Sequence, residues 1–231
     1  MTGTARAGSR SGRVVGTREA IMAAAERLYA GHGLSAVSNR QISEAAGQGN
    51  VSAVAYHFSG RDGLVQAIMN AHGTRVDQIR ERHLERLTDD DGLRAWVDCL
   101  VRPVPEYLGS LGVPSWHARF TVQVLTDPRT RALTTGEALV RPHLRRTVEG
   151  LGRRLASLPA PVRAARGDMA RHLIVHTCAE RERALAEHTA PLHPSWDALA
   201  AALCDAITGL LAAPVTTPVS DRKGTDHEDH R

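Results

Sequence analysis

Apolar residues recur along most of this chain at intervals of three and four, the spacing of helices that bury one face. Residues 1–16 depart from it. They are rich in Gly, Ser and Arg, lack apolar periodicity, and are expected to form a flexible, disordered basic arm. Thr17 reads as an N-cap with Glu19 in the first turn, and Ile21, Ala24, Ala25, Leu28 and Tyr29 then mark one apolar face up to Gly31 and Gly33. Ser38 and Gln41 have capping-box spacing at the head of a second helix, in which Ile42, Ala45 and Ala46 are expected inward and which Gly47 closes. A third short helix fits Asn50 to His57, with Val51, Val54, Ala55 and Phe58 in one sector of its wheel. Ser59 and Asp62 repeat the capping-box spacing before a long helix marked by Leu64, Ile68, Met69, Val76, Ile79, Leu84 and Leu87, with Gly73 as its weak point. Beyond Thr88 helices are expected near 90–109, 114–126, 129–157, 161–188 and 195–213, with Pro103, Pro105 and Pro142 kinking or splitting them. Residues 214–231 read as a disordered polar tail. No stretch alternates as a strand would, so the fold expected is all-α with about nine helices.

Composition supports that pattern and excludes several classes. Of 231 residues, 42% are hydrophobic and 23% charged, close to ordinary globular values. No run reaches the roughly 18 apolar residues of a membrane span, and no membrane partner is expected. The opening MTGTARAGSRSGRVVGTR lacks the apolar centre of a secretory signal, so the expected location is the cytoplasm. Cys99, Cys178 and Cys204 form neither a disulfide framework nor a CxxC zinc pattern, and read as small core residues. Charge is uneven: residues 1–63 carry seven Arg against four acids, while the remainder is nearly balanced. A basic end on a neutral body fits a polyanion partner, and equally an arm whose charge is incidental.

The segment SNRQISEAAGQGNVSAVAYHF, residues 38–58, has the form of two short helices joined by a Gly-containing turn, the helix-turn-helix pattern. Small residues at Ala45, Ala46 and Gly47 would let the two backbones cross closely. Placing Val51, Val54 and Phe58 inward leaves Asn50, Ser52, Ala53, Tyr56 and His57 outward for a DNA groove. No acid lies between Glu44 and Asp62 to repel phosphate. A surface helix in a plain bundle would show part of the same pattern.

Together AAERLYAGHGLSAVS, QISEAAG, AVAYHF and SGRDGLVQAI resemble the DNA-binding domain of TetR/AcrR-type transcriptional repressors over residues 17–70. The interval from Gly47 to Tyr56 is one residue longer than the family's common spacing, so Gln48-Gly49-Asn50 are expected to make a longer turn. The resemblance implies a helix-turn-helix domain over 17–63 and a helical effector-binding and dimerisation domain over 64–213. It implies that Ser38, Arg40 and Gln41 meet phosphate at a helix N-terminus. Tyr56 and His57 would pack beside the recognition helix, Arg61 would clamp a phosphate, and Arg13 and Arg18 would extend into a flanking minor groove. The function implied is a ligand-responsive repressor, a homodimer on a palindromic operator, released by a small-molecule effector.

In the body, Trp96, Cys99, Tyr107, Trp116, Phe120, Gln123 and His176 are the candidate effector-pocket residues, because scarce aromatics gather there; core packing is the alternative. A dimer face is expected on the last two helices, from Ala164, Leu173, Ile174, Thr177 and Cys178 with Leu199, Ala202, Leu203, Ala206, Ile207 and Leu210, unless these stripes serve the protein's own core. No GxSxG, P-loop or GxGxxG occurs, so no catalysis and no cofactor are expected. The alternative is a metal-dependent helical enzyme or binding protein using His172, His176 and Glu180, which share one helical face without the HExxH glutamate.

Overall fold

Helix α1 spans Ala5–His32, beginning well before Thr17. The computed structural model describes residues 5–50, 52–88 and 90–215, with side chains other than those of 5–14, 135 and 137. Residues 1–4 of the expected arm, the inward position of Val51 and the tail from 216 onward lie outside the described residues. From residue 5 the expected arm is helical. Ala and Arg favour helix there and no proline intervenes, so Thr17 is interior rather than a cap.

The order continues with α2 (Asn39–Ala45), α3 (Ala53–Phe58), α4 (Arg61–Leu84), α5 (Leu93–Val101), α6 (Pro103–Ser110), α7 (His117–Thr126), α8 (Pro128–Ala138), α9 (Pro142–Arg154), α10 (Ala160–Ala186) and α11 (Trp196–Ala212). The described residues are all-helical, without a strand. Two of the expected spans are divided at prolines expected to kink or split them. Pro103 opens α6 directly after α5, and Pro142 opens α9 after α8, because proline fits a first turn but not a helix interior. Helix α4 runs unbroken through Gly73. A Cβ there would lie 2.2 Å from Cζ of Arg141, so the glycine makes room for that guanidinium, which donates to Met69 O and Asn70 Oδ1.

Two apolar cores form. The first holds Ile21, Tyr29, Val37, Ile42, Val54, Phe58, Leu64 and Ile68, together with Phe120 and Val124 from α7. The second holds Leu84, Trp96, Val97, Leu108, Leu151, Ile174, Leu199 and Ile207. Helix α4 places its start, at Leu64 and Ile68, in one core and its end, at Leu84, in the other. Buried acids then tie helices by capping them. Asp77 of α4 accepts from the backbone N–H groups of His143 and Leu144 at the head of α9, and also pairs with buried Arg80. Glu182 of α10 accepts from the backbone of Ala118 and Arg119 at the head of α7, and from Ser115 and the Arg119 guanidinium. Cys99, Cys178 and Cys204 are buried free thiols, and burial pushes them up to about 11, 12 and 12, so they are inert core residues. No helix among the described residues is long and apolar enough to cross a membrane.

Candidate nucleic-acid interface and effector cavity

Helix α2 starts as its sequence dictates. Ser38 Oγ accepts from Gln41 N at 3.3 Å, while Ser38 N donates to Gln41 Oε1 at 2.8 Å, a complete capping box. Its buried arc is Ile42 and Ser43 with Ala46 at the edge; Ala45 is exposed, contrary to expectation, because the helical step carries it past the arc. Gly47 then adopts φ +68°, a left-handed turn glycine takes without strain. Gln48 N bonds Ser43 O, and Gln48 Nε2 bonds Ala46 O, which closes the longer turn expected at 48–50.

Asn50 Oδ1 accepts from Ser52 N at 2.9 Å, an Asx turn that leads into α3. Ala53, Val54 and Phe58 are buried, and Ser52, Ala55 and Tyr56 are exposed, Tyr56 at 83%. Ala53 is therefore not a groove-facing residue and Ala55 is not a core residue. The helix begins at Ala53 rather than Asn50, and the buried arc turns with it. The small outward side chain expected of Ala53 is supplied by Ala55. His57 is half-buried, with its ring edge-on to Tyr56, centroids 4.9 Å apart.

Two arginines expected on DNA also hold α3 and α4 in place. Arg18 donates to the carbonyl of His57, and its guanidinium lies 4.2 Å from the Phe58 ring centroid. A cation at the carbonyl end of α3 complements that helix's dipole. Arg61 donates to Val37 O at 2.6 Å, pinning the head of α4 to the segment before α2. Arg40 is outward and pairs with Glu44 at 2.8 Å. Arg13 lies within α1. Ser59 does not cap α4: it ends α3 at φ 57°, and Gly60 is the N-cap at φ 104°, a conformation open chiefly to glycine. Asp62 pairs with Arg129 at 2.7 Å. The result is a short helix with a polar, acid-free outer face, its back fixed against α1, α2 and α4.

Residues 21–68 match the family model described as bacterial regulatory proteins, tetR family. This domain belongs to the tetR family. It is a helix-turn-helix DNA-binding domain of a transcription regulator. The protein SCO7518 from Streptomyces coelicolor A3(2), whose crystal structure is described as that of a transcriptional regulator, aligns at 21% identity over 85% of this chain and 99% of its own, with a TM-score of 0.46. The multidrug binding protein EbrR, crystallised with imidazole, aligns at 21% identity over 86% of this chain and 97% of its own, with a TM-score of 0.44. Among curated protein sequences none matches this chain.

Behind the tetR domain, a cavity of about 160 Å³ lies between α4, α6, α7, α9 and α10, lined mainly by apolar groups such as Met69, Val76, Leu108 and Ile174, with Arg80, Tyr107, His117, Thr121 and Arg141 as polar members. Of the seven candidate pocket residues only Tyr107 lines it. Trp96 and Cys99 are packed in the second core, where a Cβ on Gly150 would sit 2.0 Å from the Trp96 ring. Phe120 is buried against Tyr29, centroids 6.1 Å apart. Gln123 is half-buried beside Gly33, and Trp116 is half-buried at the N-cap of α7. His176 is exposed on α10. The aromatics cluster in sequence because α5 and α7 are core helices, whereas the cavity is lined by aliphatic residues with no sequence signature. His172 and Glu180 are exposed with His176, and these three do not converge. Among the described residues, the group of three such donors close enough to share an ion is Glu26, His72 and His117, on three different helices.

Proposed function

We propose that this chain is a ligand-responsive transcriptional repressor that binds a palindromic operator in double-stranded DNA as a homodimer. The observation that carries the reading is the outer face of α3, where Asn50, Ser52, Ala55 and exposed Tyr56 present donors, acceptors and one small side chain without an acid. Ser38, Arg40 and Gln41 at the head of α2 take phosphate, with the backbone N–H groups of that first turn adding to the contact. His57 supports Tyr56, and Arg18 and Arg61 position the helix while remaining near the duplex backbone. Arg13 extends the contact along the basic N-terminal end.

Pairing is through α10 and α11. In the single chain Ile174, Cys178, Leu199, Leu203 and Ile207 are core residues, which leaves Ala164, Met169, Leu173 and Ala206 on the outer side of these helices. Met169 is 52% and Leu173 39% exposed, one turn apart on the outer side of α10, and this apolar pair supports the reading. A four-helix contact through that face would set two heads ~34–36 Å apart, or a multiple, as successive turns of a duplex require. The cavity takes the effector. At about 160 Å³ it is smaller than the ~300–1,000 Å³ of a drug-sized site, so it suits a small ligand or opens to admit a larger one. Because α4 lines this cavity and also enters the DNA-reading core, a ligand that moves it weakens operator binding, and by linkage binds less tightly to the protein on DNA.

Selection of bound sequences from random DNA, followed by gel shift and light scattering, tests the reading. A two-fold symmetric consensus and a dimer in solution are expected; a monomer, or no enrichment over random sequence, overturns it.

A further inference from the structure

Helices α1, α4, α6 and α7 meet at a polar cluster that DNA reading does not use. Glu26 comes from α1, His72 from α4, Tyr107 from α6, and His117 is the first residue of α7. The side chains of Glu26, His72 and His117 are 15%, 16% and 12% exposed. One donor atom from each of these three lies within 4.8 Å of the other two. His72 Nε2 is 3.1 Å from Glu26 Oε2, and its other nitrogen is 2.6 Å from the Tyr107 hydroxyl. His117 Nδ1 is 3.3 Å from Glu26 Oε1, an ion-pair distance, and is otherwise buried without a hydrogen-bond partner. The two imidazoles are stacked, 3.7 Å between centroids and 12° between planes.

An unpartnered buried nitrogen is costly, and here it sits beside a second imidazole and a carboxylate. Two imidazoles and one carboxylate are a donor set that borderline divalent cations favour, with too few oxygens for calcium or magnesium and no thiolate for copper(I). A ligating histidine needs its outer nitrogen held, and Tyr107 holds that of His72.

We propose that Glu26, His72 and His117 form a site for one divalent cation of the zinc class, with Tyr107 orienting His72. Three protein donors leave a further position for water or a small ligand. The stacked rings must tilt so that both nitrogens point at one ion. That ion would join α1 and α4, two helices of the DNA-reading core, to the head of α7, which Glu182 already ties to α10. The site stands apart from the operator reading and is tested without DNA.

The full-length chain, stripped of metal with a chelator, is titrated with Zn²⁺ by calorimetry and with Co²⁺ by visible absorption. Two backgrounds, H227Q/H230Q and H172Q/H176Q, each remove a pair of histidines close together in the sequence. One equivalent of Zn²⁺ and the intense visible bands of four-coordinate Co²⁺ are expected in both. E26Q and H117Q, each checked for helical content, should lose that equivalent, and Y107F should weaken it ~10–100-fold. Absence of stoichiometric binding in the H227Q/H230Q chain overturns the proposal with the cluster itself untouched; so does an equivalent that persists in E26Q and H117Q. Either failure leaves the operator reading intact, because the cation is measured alone.

Discussion

Single residues divide into those proposed to face DNA and those that hold α3 in place, and their variants should behave differently. Arg40 is 76% exposed at its side chain and its pair with Glu44 is fully in solvent, so removing it costs folding little. Arg40→Ala should weaken binding to all DNA sequences alike and lower the salt slope by about one unit, with an unchanged melting curve; a filter-binding salt titration reads this. Arg61→Ala should also lower the melting temperature, because its bond to Val37 O fixes the start of α4. The sequence marks both as basic residues near a helix start, and only burial separates their roles. Acid sensitivity also belongs to this scale. Glu26 is held at about 2 against an ordinary 4.5, so its ionised form favours the fold. That contribution is full above pH 4.5 and is lost as pH falls toward 2; it amounts to ~3 kcal/mol at most. His117 acts in the same direction: burial lowers its pKa, so its contribution is full above the ordinary histidine value of about 6.5 and is lost as pH falls below it. Urea unfolding of the wild type and Glu26→Gln should therefore differ most at neutral pH and converge near pH 2–3. A gap that stays constant with pH contradicts it.

Among the elements, the short helices α2 and α3 cannot stand alone and depend on close approach to their neighbours. A Cβ on Gly63 would lie 1.8 Å from Phe58 O, so α4 starts in contact with the backbone of α3. Gly63→Ala should push the two apart, cost ~1–3 kcal/mol of stability, and reduce DNA binding more than that loss alone explains. Chemical denaturation beside gel shift on a selected site checks it, and an unchanged affinity would show that α3 tolerates the shift. Local sequence was a good guide wherever the local chain decided the outcome. The capping box at Ser38 and Gln41, the turn at Gly47 and the helix starts at prolines all depend on neighbours within four residues. It misled at Ser59, where the same spacing as a capping box ends one helix instead of starting the next, because α3 must turn sharply onto α4. It misled again on Ala53 and Ala55, since a short alanine-rich stretch carries too few large side chains to define its inward face.

At the level of the whole molecule, α4 couples the tetR domain to the body, with Leu64 and Ile68 in one core and Leu84 in the other. The proposed dimer belongs to this scale, because one short recognition helix offers few contacts for a specific site. Leu173→Glu, placed on the exposed side of α10, should give a folded monomer by light scattering and lose most operator affinity. A variant that stays dimeric would move the contact to another face.

The sequence by itself determined the helical elements, the helix-turn-helix and the family of residues 21–68, because these rest on periodicity and on caps and turns a few residues long. Only the tertiary structure decided which residues line the cavity, that α4 belongs to two cores, and that Glu26, His72 and His117 converge from helices far apart in the chain. Such convergence depends on how helices cross, and crossing is set by side-chain volume across the whole interface rather than by any spacing along one segment.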